Sequence, residues 1–245
     1  MHRLLVDTAL LEKEMPQLPA DAARHLRVVR PKEGERVELF DGRGKWRVYR
    51  YSAACGLKAE DRTCQSAAVS PYARTLFACV TKGSRWDWTI EKATELGVTR
   101  IVPVISDRTI VRLPKAERAA KRERWLRIAE DAARQSDAKW LPEITEAVDF
   151  RDSLPLVAET TCLIGALTDP PSPPIVRAIA ALRSSEAQSV CNLAAYIGPE
   201  GDFTPEELAA LMKIAVPVSF GPTVLRAETA ALFALSVMNA CQSEI

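Results

Sequence analysis

Near its C-terminus the chain reads Ile197-Gly198-Pro199-Glu200-Gly201-Asp202-Phe203-Thr204-Pro205-Glu206-Glu207. The apolar run before it, Leu193 to Ile197, predicts a buried strand, and the glycines and proline that follow predict a tight loop. Thr204, with Pro205 next and Glu207 three residues on, has the pattern of a helix N-cap with a capping box. This stretch therefore predicts a loop held between a buried strand and a helix.

A second stretch repeats the same plan: Phe220-Gly221-Pro222-Thr223-Val224-Leu225-Arg226-Ala227-Glu228-Thr229-Ala230. Val216 to Phe220 predicts a strand, and Ala227 to Ala240 predicts a helix that is apolar nearly all round and hence buried. Open α/β sheets bind ligands in the loops at the carboxyl ends of their strands. The two loops together predict a small-molecule site in an α/β fold.

The loops lack the motifs of the commonest nucleotide-binding sites. The chain contains no G-x-G-x-x-G and no G-x-x-x-x-G-K-[ST], so the dinucleotide and P-loop fingerprints are absent. Gly198, Gly201 and Gly221, taken singly, are also compatible with turns that bind nothing. Two such loops, the second followed by Arg226 and Glu228, favour a ligand site.

The paired motifs resemble those of one enzyme family. Ile-Gly-Pro-Glu-Gly at 197–201 and Gly-Pro-x-Val-Leu-Arg-Ala-Glu-Thr-Ala at 221–230 are similar to the cofactor-binding segments of the SPOUT superfamily of RNA methyltransferases. Within that superfamily they are similar to the ribosomal RNA small subunit methyltransferase E family, which uses S-adenosylmethionine (SAM) to methylate N3 of one uridine in 16S rRNA. The likeness continues through residues 82–85, 90–98 and 132–136, so it covers most of the chain.

The resemblance implies a fold that composition and periodicity do not show. Family members combine a small N-terminal PUA-like β-barrel with a C-terminal knotted SPOUT-type α/β methyltransferase domain, and they act as homodimers. The implied domains are a PUA-like RNA-binding barrel over residues 1–71 and a methyltransferase domain with a C-terminal trefoil knot over residues 72–245. General fold rules favour unknotted chains and would have predicted no knot.

The resemblance also implies the cofactor, its site and the partner. SAM is expected to bind the backbone and apolar groups of the two loops, with a third wall at the end of a strand predicted over Cys162 to Ala166. The implied cofactor-binding residues are Leu167, Ile197, Gly198, Pro199, Glu200, Gly201, Phe220, Gly221, Val224, Leu225 and Arg226. The implied partner is 16S rRNA in the small ribosomal subunit.

Methyl transfer from a sulfonium needs few polar catalytic residues, because the methyl group is already electrophilic. Deprotonation of uridine N3 spreads negative charge onto the flanking carbonyl oxygens, and a guanidinium stabilises such charge. Arg226 is the candidate for this role, with a structural ion pair to Glu228 or Glu200 as the alternative. Glu228 is a candidate to orient Arg226 or to assist proton transfer, and it is equally compatible with a carboxylate favoured by the helix dipole.

The sequence departs from the family pattern at two places. Asp202 stands where the family usually has a second glycine after Gly-Pro-Glu-Gly. Asp137-Ala138-Lys139 stands where a Gly-Arg pair is common. The second departure removes an expected RNA-contacting arginine and leaves Lys139 as a substitute of different geometry.

The net charge of +1 hides a strong asymmetry along the chain. Residues 1–73 carry +3, residues 74–127 carry +7 and residues 128–245 carry −9. Such segregation favours contact with a phosphate backbone, although the run from Lys115 to Arg127 alone is more typical of a solvated, salt-bridged helix. The predicted RNA-binding residues are Arg24, Arg27, Arg30, Lys82, Arg85 and Lys139, with a further basic group at Arg43, Lys45, Arg47 and Arg50.

Elements before the two loops support a two-part chain. Arg36 to Phe40 and Lys45 to Tyr51 predict a hairpin around an Asp-Gly turn. After Ser70-Pro71 the pattern changes to a βαβ unit, with strands over Thr75 to Val80 and Val98 to Ile105. A helix over residues 115–135 then places Trp125 on an apolar face, which indicates a core residue rather than a base-stacking one.

Composition fits a globular protein and excludes several function classes. The chain has 245 residues, 47% of them hydrophobic and 27% charged, and no apolar run of about 20 residues that could cross a bilayer. Six cysteines without a C-x-x-C pair predict reduced, mostly buried thiols, and with only two histidines the chain offers no metal site or His-based triad. We expect a cytoplasmic protein without a membrane segment or metal.

Three functions are compatible with this sequence. The first is a SAM-dependent uridine-N3 methyltransferase of 16S rRNA. The second is a related SPOUT enzyme that methylates another base or a ribose 2′-OH. The third is a non-catalytic RNA-binding assembly factor, which the intact glycines and the Arg226 and Glu228 pair disfavour.

Overall fold

The structure is a computed structural model that describes residues 1–166, 170–185 and 192–243. Its contacts divide the chain into two compact units. The N-terminal unit comprises residues 1–69 and 130–141, and the C-terminal unit comprises the described residues of 70–129 and 142–245. Residues 130–141 thus group with the N-terminal unit, which the predicted domains 1–71 and 72–245 did not anticipate.

The N-terminal unit is a mixed sheet of five strands covered by two short helices. Its elements are β1 (His2–Leu5), α1 (Thr8–Leu11), α2 (Ala20–Val29), β2 (Arg36–Phe40), β3 (Lys45–Ser52), β4 (Gly56–Ala59) and β5 (Gln65–Ser66). Strand β1 is parallel to β2, while β3 is antiparallel to β2, β4 and β5. Asp41 accepts hydrogen bonds at Oδ1 from the N–H groups of Arg43 and Lys45, which closes the predicted hairpin.

A buried ionic cluster ties β1 and β2 to residues 133–139 within this unit. Glu38 is 2% exposed and accepts from Arg3 Nε at 2.8 Å and from Lys139 Nζ at 2.7 and 2.8 Å. Arg3 also donates to the backbone carbonyls of Ala133 and Ala138. Because a buried carboxylate needs both charge and hydrogen-bond partners, Arg3 and Lys139 are held here by Glu38.

The C-terminal unit is built on one parallel sheet. Its strands are β6 (Ala73–Cys79), β7 (Arg100–Ile105), β8 (Glu143–Ile144), β9 (Val148–Asp149), β10 (Thr161–Gly165), β11 (Asn192–Ile197) and β12 (Val216–Val218). They lie in the order β12-β10-β11-β6-β7-β8, with β9 also paired to β7. Strand β11 therefore lies between β10 and β6, and the strand order reverses between β6 and β11.

The described helices of this unit cover both faces of the sheet. They are α3 (Ser84–Glu95), α4 (Lys115–Gln135, whose end belongs to the N-terminal unit), α5 (Phe150–Ala158), α6 (Ile175–Ser185), α7 (Pro205–Leu211) and α8 (Ala227–Ser243). Among the described residues, no helix combines the length and the apolar character needed to cross a membrane.

Alternate residues of the strands pack into two separate hydrophobic cores, one on each face of the sheet. Leu193, Ala195 and Ile197 of β11 join the core under α3, α6 and α8, whereas Ala194 and Tyr196 join the core under α5 and α7. A parallel sheet covered on both faces requires apolar residues at every strand position, which explains the continuous apolar run in the sequence. Strand β11 is thereby fixed from both sides up to its last residue.

Most predicted elements are confirmed, with small shifts at their ends. The strand predicted over 216–220 ends at Val218, because Ser219 N–H bonds the carbonyl of Pro173 and the Phe220 ring turns onto Gly165. The βαβ unit is confirmed as β6, α3 and β7. Trp125 is confirmed as a core residue: it is 3% exposed and meets Trp86 edge to face.

Candidate functional site

Three neighbouring strands bring the predicted cofactor-binding segments to one edge of the sheet. Strands β12, β10 and β11 are adjacent and parallel, so their carboxyl ends lie together. The loop 197–201 leaves β11, and the loop 220–225 follows β12. Leu167, predicted as the third wall after β10, lies outside the described residues. The geometry supports the prediction that both loops serve one site.

Side chains of the unit itself explain the shape of the first loop. Gly198 lies against the Phe203 ring, since a Cβ at this position would stand 2.9 Å from Phe203 Cε2. Asp202 adopts a left-handed backbone with φ of 60°. Thr204 and Glu207 form the predicted capping box, with Thr204 Oγ1 accepting from Glu207 N–H. The sequence prediction of a loop fixed by a capped helix is confirmed.

The two departures noted in the sequence share a backbone feature. Asp202 and Asp137 both have φ of 60°. Aspartate tolerates the left-handed region better than most residues with a Cβ. Both aspartates therefore adopt a left-handed backbone conformation that glycine adopts readily.

The loop after β7 braces the same segment, a feature that the sequence predictions missed. Arg108 Nη1 donates to the carbonyl oxygens of Gly201 at 3.1 Å and Phe203 at 3.2 Å. Glu207, which is 6% exposed, accepts from Asp107 N–H at Oε1 while its other oxygen accepts from Thr204 N–H. The capping glutamate thus has a second, long-range role that the local motif did not reveal.

The second loop combines a glycine turn with a packed aromatic ring. Gly221 has φ of 124°, a conformation that residues with a Cβ rarely adopt. Phe220 is half-buried, and a Cβ on Gly165 would stand 2.4 Å from its ring. Val224, in contrast, is 85% exposed, and Leu225 packs against the core of the unit. Phe220 and Leu225 offer apolar surface at this loop, while Val224 points away from the core.

Arg226 and Glu228 line a cleft of roughly 630 Å³ together with the start of α3. From α3 the cleft is lined by Ser84, Arg85, Asp87, Trp88 and Glu91, and from the start of α8 by Arg226, Glu228 and Thr229. The structure therefore brings both predicted catalytic residues beside Arg85, a predicted RNA-binding residue. A cleft of this volume accommodates a nucleotide-sized ligand.

Glu228 has the most distinctive environment in this cleft. The residue is 8% exposed, and in the described part of the chain its Oε2 atom has no hydrogen-bond partner. The alternative of an ion pair between Arg226 and Glu228 or Glu200 is not seen among the described residues, since Glu200 pairs with Arg85 at 3.4 Å. A buried carboxylate oxygen without a donor is costly unless a ligand supplies one.

The predicted RNA-binding residues fall into different environments. Arg24, Arg27 and Arg30 are exposed on α2 and at its end, and Lys82 and Arg85 are exposed beside the cleft. Lys139 is held by Glu38 and Asp137, which opposes a direct phosphate contact.

Arg47, which the sequence placed in a basic surface group, is buried and donates to the backbone carbonyls of Leu11 and Asp61. The prediction that Arg47 belongs to a basic surface is wrong, because the guanidinium satisfies carbonyl groups inside the N-terminal unit.

No disulfide joins the cysteines in the described part of the chain, but fewer of these side chains are buried than predicted. Cys79 and Cys162 are buried, Cys64 and Cys241 are half-buried, and Cys55 is exposed. Burial raises the pKa of Cys79 to about 11 and that of Cys162 to about 12. Cys191 lies outside the described residues. Within the described ranges no cluster of three or more His, Cys, Asp or Glu side chains could hold a metal ion.

Family models match both parts of the chain. The model described as RNA methyltransferase domain matches residues 69–239, and the model described as RNA methyltransferase PUA domain matches residues 18–59. By class, this is an RNA methyltransferase-domain protein with a PUA-like N-terminal domain.

Individual relatives narrow the class to a family. A ribosomal RNA small subunit methyltransferase E of Synechocystis sp. is 35% identical over 218 residues, which are 87% of this chain and 69% of that protein. The crystal structure of a ribosomal RNA small subunit methyltransferase E from Neisseria gonorrhoeae, bound to SAM, aligns with a TM-score of 0.80 at 28% identity and covers 98% of both chains. The chain belongs to the ribosomal RNA small subunit methyltransferase E family.

A second solved structure agrees with this assignment. A methyltransferase from Legionella pneumophila in complex with SAM aligns with a TM-score of 0.79 at 27% identity, covering 98% of this chain and 97% of that one. The family resemblance and the α/β fold class expected from the sequence are therefore confirmed.

Proposed function

We propose that this protein uses SAM to methylate N3 of a specific uridine in 16S rRNA of the small ribosomal subunit. The observation that carries the proposal is the cleft that Arg226 and Glu228 both line, in which the buried Oε2 atom of Glu228 has no hydrogen-bond donor among the described residues. In a chain of this family, a cleft with a cation and an unsatisfied acceptor is suited to deprotonating and stabilising an imide such as uracil.

The proposal that SAM binds to the two loops is supported by Gly201. Neither packing nor backbone conformation within the protein requires glycine at this position. Gly198 is required by Phe203 and Gly221 by its positive φ, but a Cβ on Gly201 would meet only ordinary contacts, the nearest at 3.6 Å from Arg108. Glycine at such a position is explained if a ligand approaches the backbone closely, because a Cβ would then obstruct the ligand. We assign SAM binding to the loops 197–201 and 220–225 and to Arg226, with Leu167 as a further proposed contact.

SAM, when bound, supplies a methyl group that its sulfonium makes electrophilic. Glu228 lines the cleft and is suited to accept the proton of uracil N3 at Oε2, because that buried atom has no hydrogen-bond donor among the described residues. Arg226 is suited to stabilise the negative charge that deprotonation leaves on the carbonyl oxygens. These two residues perform the proposed catalysis, and the rest of the cleft holds the base.

The proposal includes the assembly and partners implied by the family. We propose that residues 1–71 form the RNA-binding domain and 72–245 the methyltransferase domain, that the latter contains a trefoil knot, and that the protein is a homodimer in the cytoplasm, where its ribosomal substrate is found. Light scattering that shows a monomer would contradict the dimer.

RNA binding is proposed to rest on exposed basic residues in both units. Arg24, Arg27 and Arg30 share one short helical segment, Arg85 lines the cleft, and Lys82 is exposed just before α3. Reversing the charge of Arg27 and Arg30 is expected to lower RNA affinity uniformly across sequences, because phosphate contacts carry no base information. Unchanged affinity would count against this surface. Lys139 is retained as a weaker proposed contact because Glu38 already pairs with it.

The function is tested with small ribosomal subunits that lack the modification. The purified protein and SAM are incubated with these subunits, and the digested RNA is examined for 3-methyluridine by mass spectrometry. The Arg226→Ala variant serves as the matched control for contaminating activity. Appearance of 3-methyluridine with the wild-type protein alone supports the proposal, whereas another methylated nucleoside would favour the related SPOUT activity. No product together with no SAM binding by calorimetry would favour the assembly-factor alternative, whereas no product despite SAM binding would point to free rRNA or transfer RNA as the substrate.

A further inference from the structure

Trp88 is an exposed aromatic side chain in a cleft that is otherwise polar. It lies on the second turn of α3 and is 43% exposed, while Trp86 on the same helix is 3% exposed and packs in the core. Trp88 lines the cleft that contains Arg226 and Glu228. An indole is costly to leave in water, and none of the catalytic roles proposed above uses it.

The three carboxylates that line the cleft differ in whether they have a partner within the protein. Asp87 is paired with Arg124 and Glu91 with Lys92, so these two carboxylates are neutralised within the protein. Glu228 differs, because its Oε2 atom is buried and, among the described residues, without a donor. The cleft is therefore lined by one carboxylate whose buried Oε2 atom has no donor among the described residues, and by the exposed side chain of Trp88.

Arg85 and Arg226 line the same cleft as Glu228. Arg85 is anchored to Glu200 through Nη1 at 3.4 Å, which leaves its other N–H groups available as donors. The cleft thus offers donors from two arginines and an acceptor from Glu228. Uracil presents the complement on its Watson–Crick edge, namely an N3–H donor flanked by the O2 and O4 acceptors.

We infer that Trp88 is the stacking surface for the target base, which lies against the indole with its N3–H directed to Glu228. This inference rests on the proposed function and adds to it a base-binding residue and a reason for base selectivity. Enzymes that modify a base bind it outside the helical stack, by stacking on aromatic side chains and by hydrogen bonds to its Watson–Crick edge. The volume of roughly 630 Å³ accommodates a nucleotide.

The same arrangement rejects cytosine. Cytosine N3 is an acceptor without a proton, so it would face the lone pairs of the Glu228 carboxylate and leave that oxygen without a donor. Rejection by an unpaired buried polar group is stronger than rejection by shape alone. Selectivity for uracil therefore resides in Glu228, while Trp88 supplies affinity for any pyrimidine or purine ring.

The test compares Trp88→Phe with Trp88→Leu on small subunits that lack the modification. Leucine keeps an apolar side chain on α3 but removes the aromatic face, whereas phenylalanine keeps that face. Met212→Ala is the control, because Met212 has similar exposure in the same unit and does not line the cleft. Methylation rates, SAM affinity by calorimetry, thermal unfolding and light scattering are measured for each variant.

If Trp88 stacks on the base, methylation should be slowed by the variant that lacks an aromatic ring and not by the variant that keeps one. Trp88→Leu should lower kcat/KM for the RNA by about 10- to 100-fold, in line with measured base stacking, while Trp88→Phe and Met212→Ala stay within about threefold of wild type. SAM affinity, unfolding temperature and oligomeric state should not change. A Trp88→Leu enzyme within about threefold of wild type would overturn the inference.

The other outcomes also decide the question. Weaker SAM binding by Trp88→Leu would make Trp88 a cofactor contact, and an altered oligomeric state would make it a contact between subunits; either result overturns the stacking role. A wild-type protein that forms no 3-methyluridine would overturn the proposed function itself, and the base-stacking role with it.

Discussion

Three glycines of the two loops occur for three different physical reasons. Gly198 makes room for the Phe203 ring, and Gly221 adopts a positive φ. Gly201 has neither constraint, because its φ is not in the left-handed region and its hypothetical Cβ would have ordinary contacts. From the sequence alone the three are indistinguishable. The structure leaves only Gly201 to be explained by a ligand.

Replacement of Gly201 by alanine is expected to change SAM affinity without lowering the stability of the fold. We expect Gly201→Ala to leave stability unchanged or to raise it by about 0.5 kcal/mol, since alanine restricts the unfolded chain without strain in the folded one. SAM affinity should fall roughly tenfold or more, equivalent to about 1.4 kcal/mol. Calorimetric titration with SAM and thermal unfolding measure the two effects.

Gly198→Ala is the matched contrast to that variant. Its Cβ would stand 2.9 Å from the Phe203 ring, so overpacking should destabilise the protein by about 1–3 kcal/mol. If Gly201→Ala binds SAM like the wild type, the backbone at this position does not approach the cofactor.

Arg226 is expected to act in the chemical step. It lies in the cleft beside Glu228 and is not ion-paired with Glu228 or Glu200 in the described chain, so its charge is available to the substrate. Arg226→Ala should lower methyl transfer on the order of 10²-fold, the typical loss of a group that stabilises developing charge, with SAM affinity within about twofold. Single-turnover kinetics and calorimetry check this; equal losses in both would make Arg226 a binding residue instead.

At the scale of elements, the loop between β7 and α4 acts as a brace for the start of α7. Arg108 holds the carbonyl oxygens of Gly201 and Phe203, while Asp107 N–H bonds Glu207. The loop 197–201 is thus fixed by the cap of the following helix and by a segment nearly 100 residues away in sequence. Such bracing preorganises a binding loop and limits the entropy lost on binding.

Removing the brace should loosen the cofactor loop. We expect Arg108→Ala to weaken SAM binding roughly fivefold, since two hydrogen bonds from a solvent-accessible guanidinium contribute about 1 kcal/mol together. Arg112→Ala, an exposed arginine that follows in the same loop, is the control and should bind SAM normally. Titration calorimetry decides; an equal loss in both variants would point to general electrostatics rather than to the brace.

At the scale of the whole molecule, two buried thiols link stability to pH. Burial raises the pKa of Cys79 to about 11 and that of Cys162 to about 12, from an ordinary value of 9.0. Above pH 9 the unfolded chain loses these protons while the folded chain keeps them, so the unfolded state binds fewer protons. The free energy of unfolding must therefore fall as pH rises, and the thiol contribution is fully present only below pH 9.

We expect this fall to reach about 1.4 kcal/mol per pH unit for each thiol between pH 9 and 11. Urea denaturation at pH 8, 9, 10 and 10.5 measures it. Cys162→Ala should make the decline shallower, whereas Cys55→Ala, at an exposed position, should leave it unchanged. A decline of equal steepness in Cys162→Ala would show that other groups, such as the buried Tyr196 with its raised pKa, dominate the alkaline loss.

Local patterns predicted the elements well because their causes are local. The capping box at Thr204, the continuous apolar run of β11 and the hairpin after Phe40 each follow from a few neighbouring residues. The family resemblance, the α/β class and the association of Arg226 and Glu228 with the loop motif were likewise available from the sequence. Arg47 was predicted at the surface, because nothing in the sequence shows which carbonyl groups a distant chain segment leaves unsatisfied.

The sequence by itself determined the order of strands and helices, the two glycine loops and the family, since hydrophobic period, turn residues and caps act over a few positions. Only the tertiary structure decided that β11 inserts between β10 and β6, that Arg108 braces Gly201, and that Trp88 shares a cleft with Glu228. These features join residues that are far apart in the chain, and such pairings are selected by the packing of the whole sheet and its helices rather than by any local pattern.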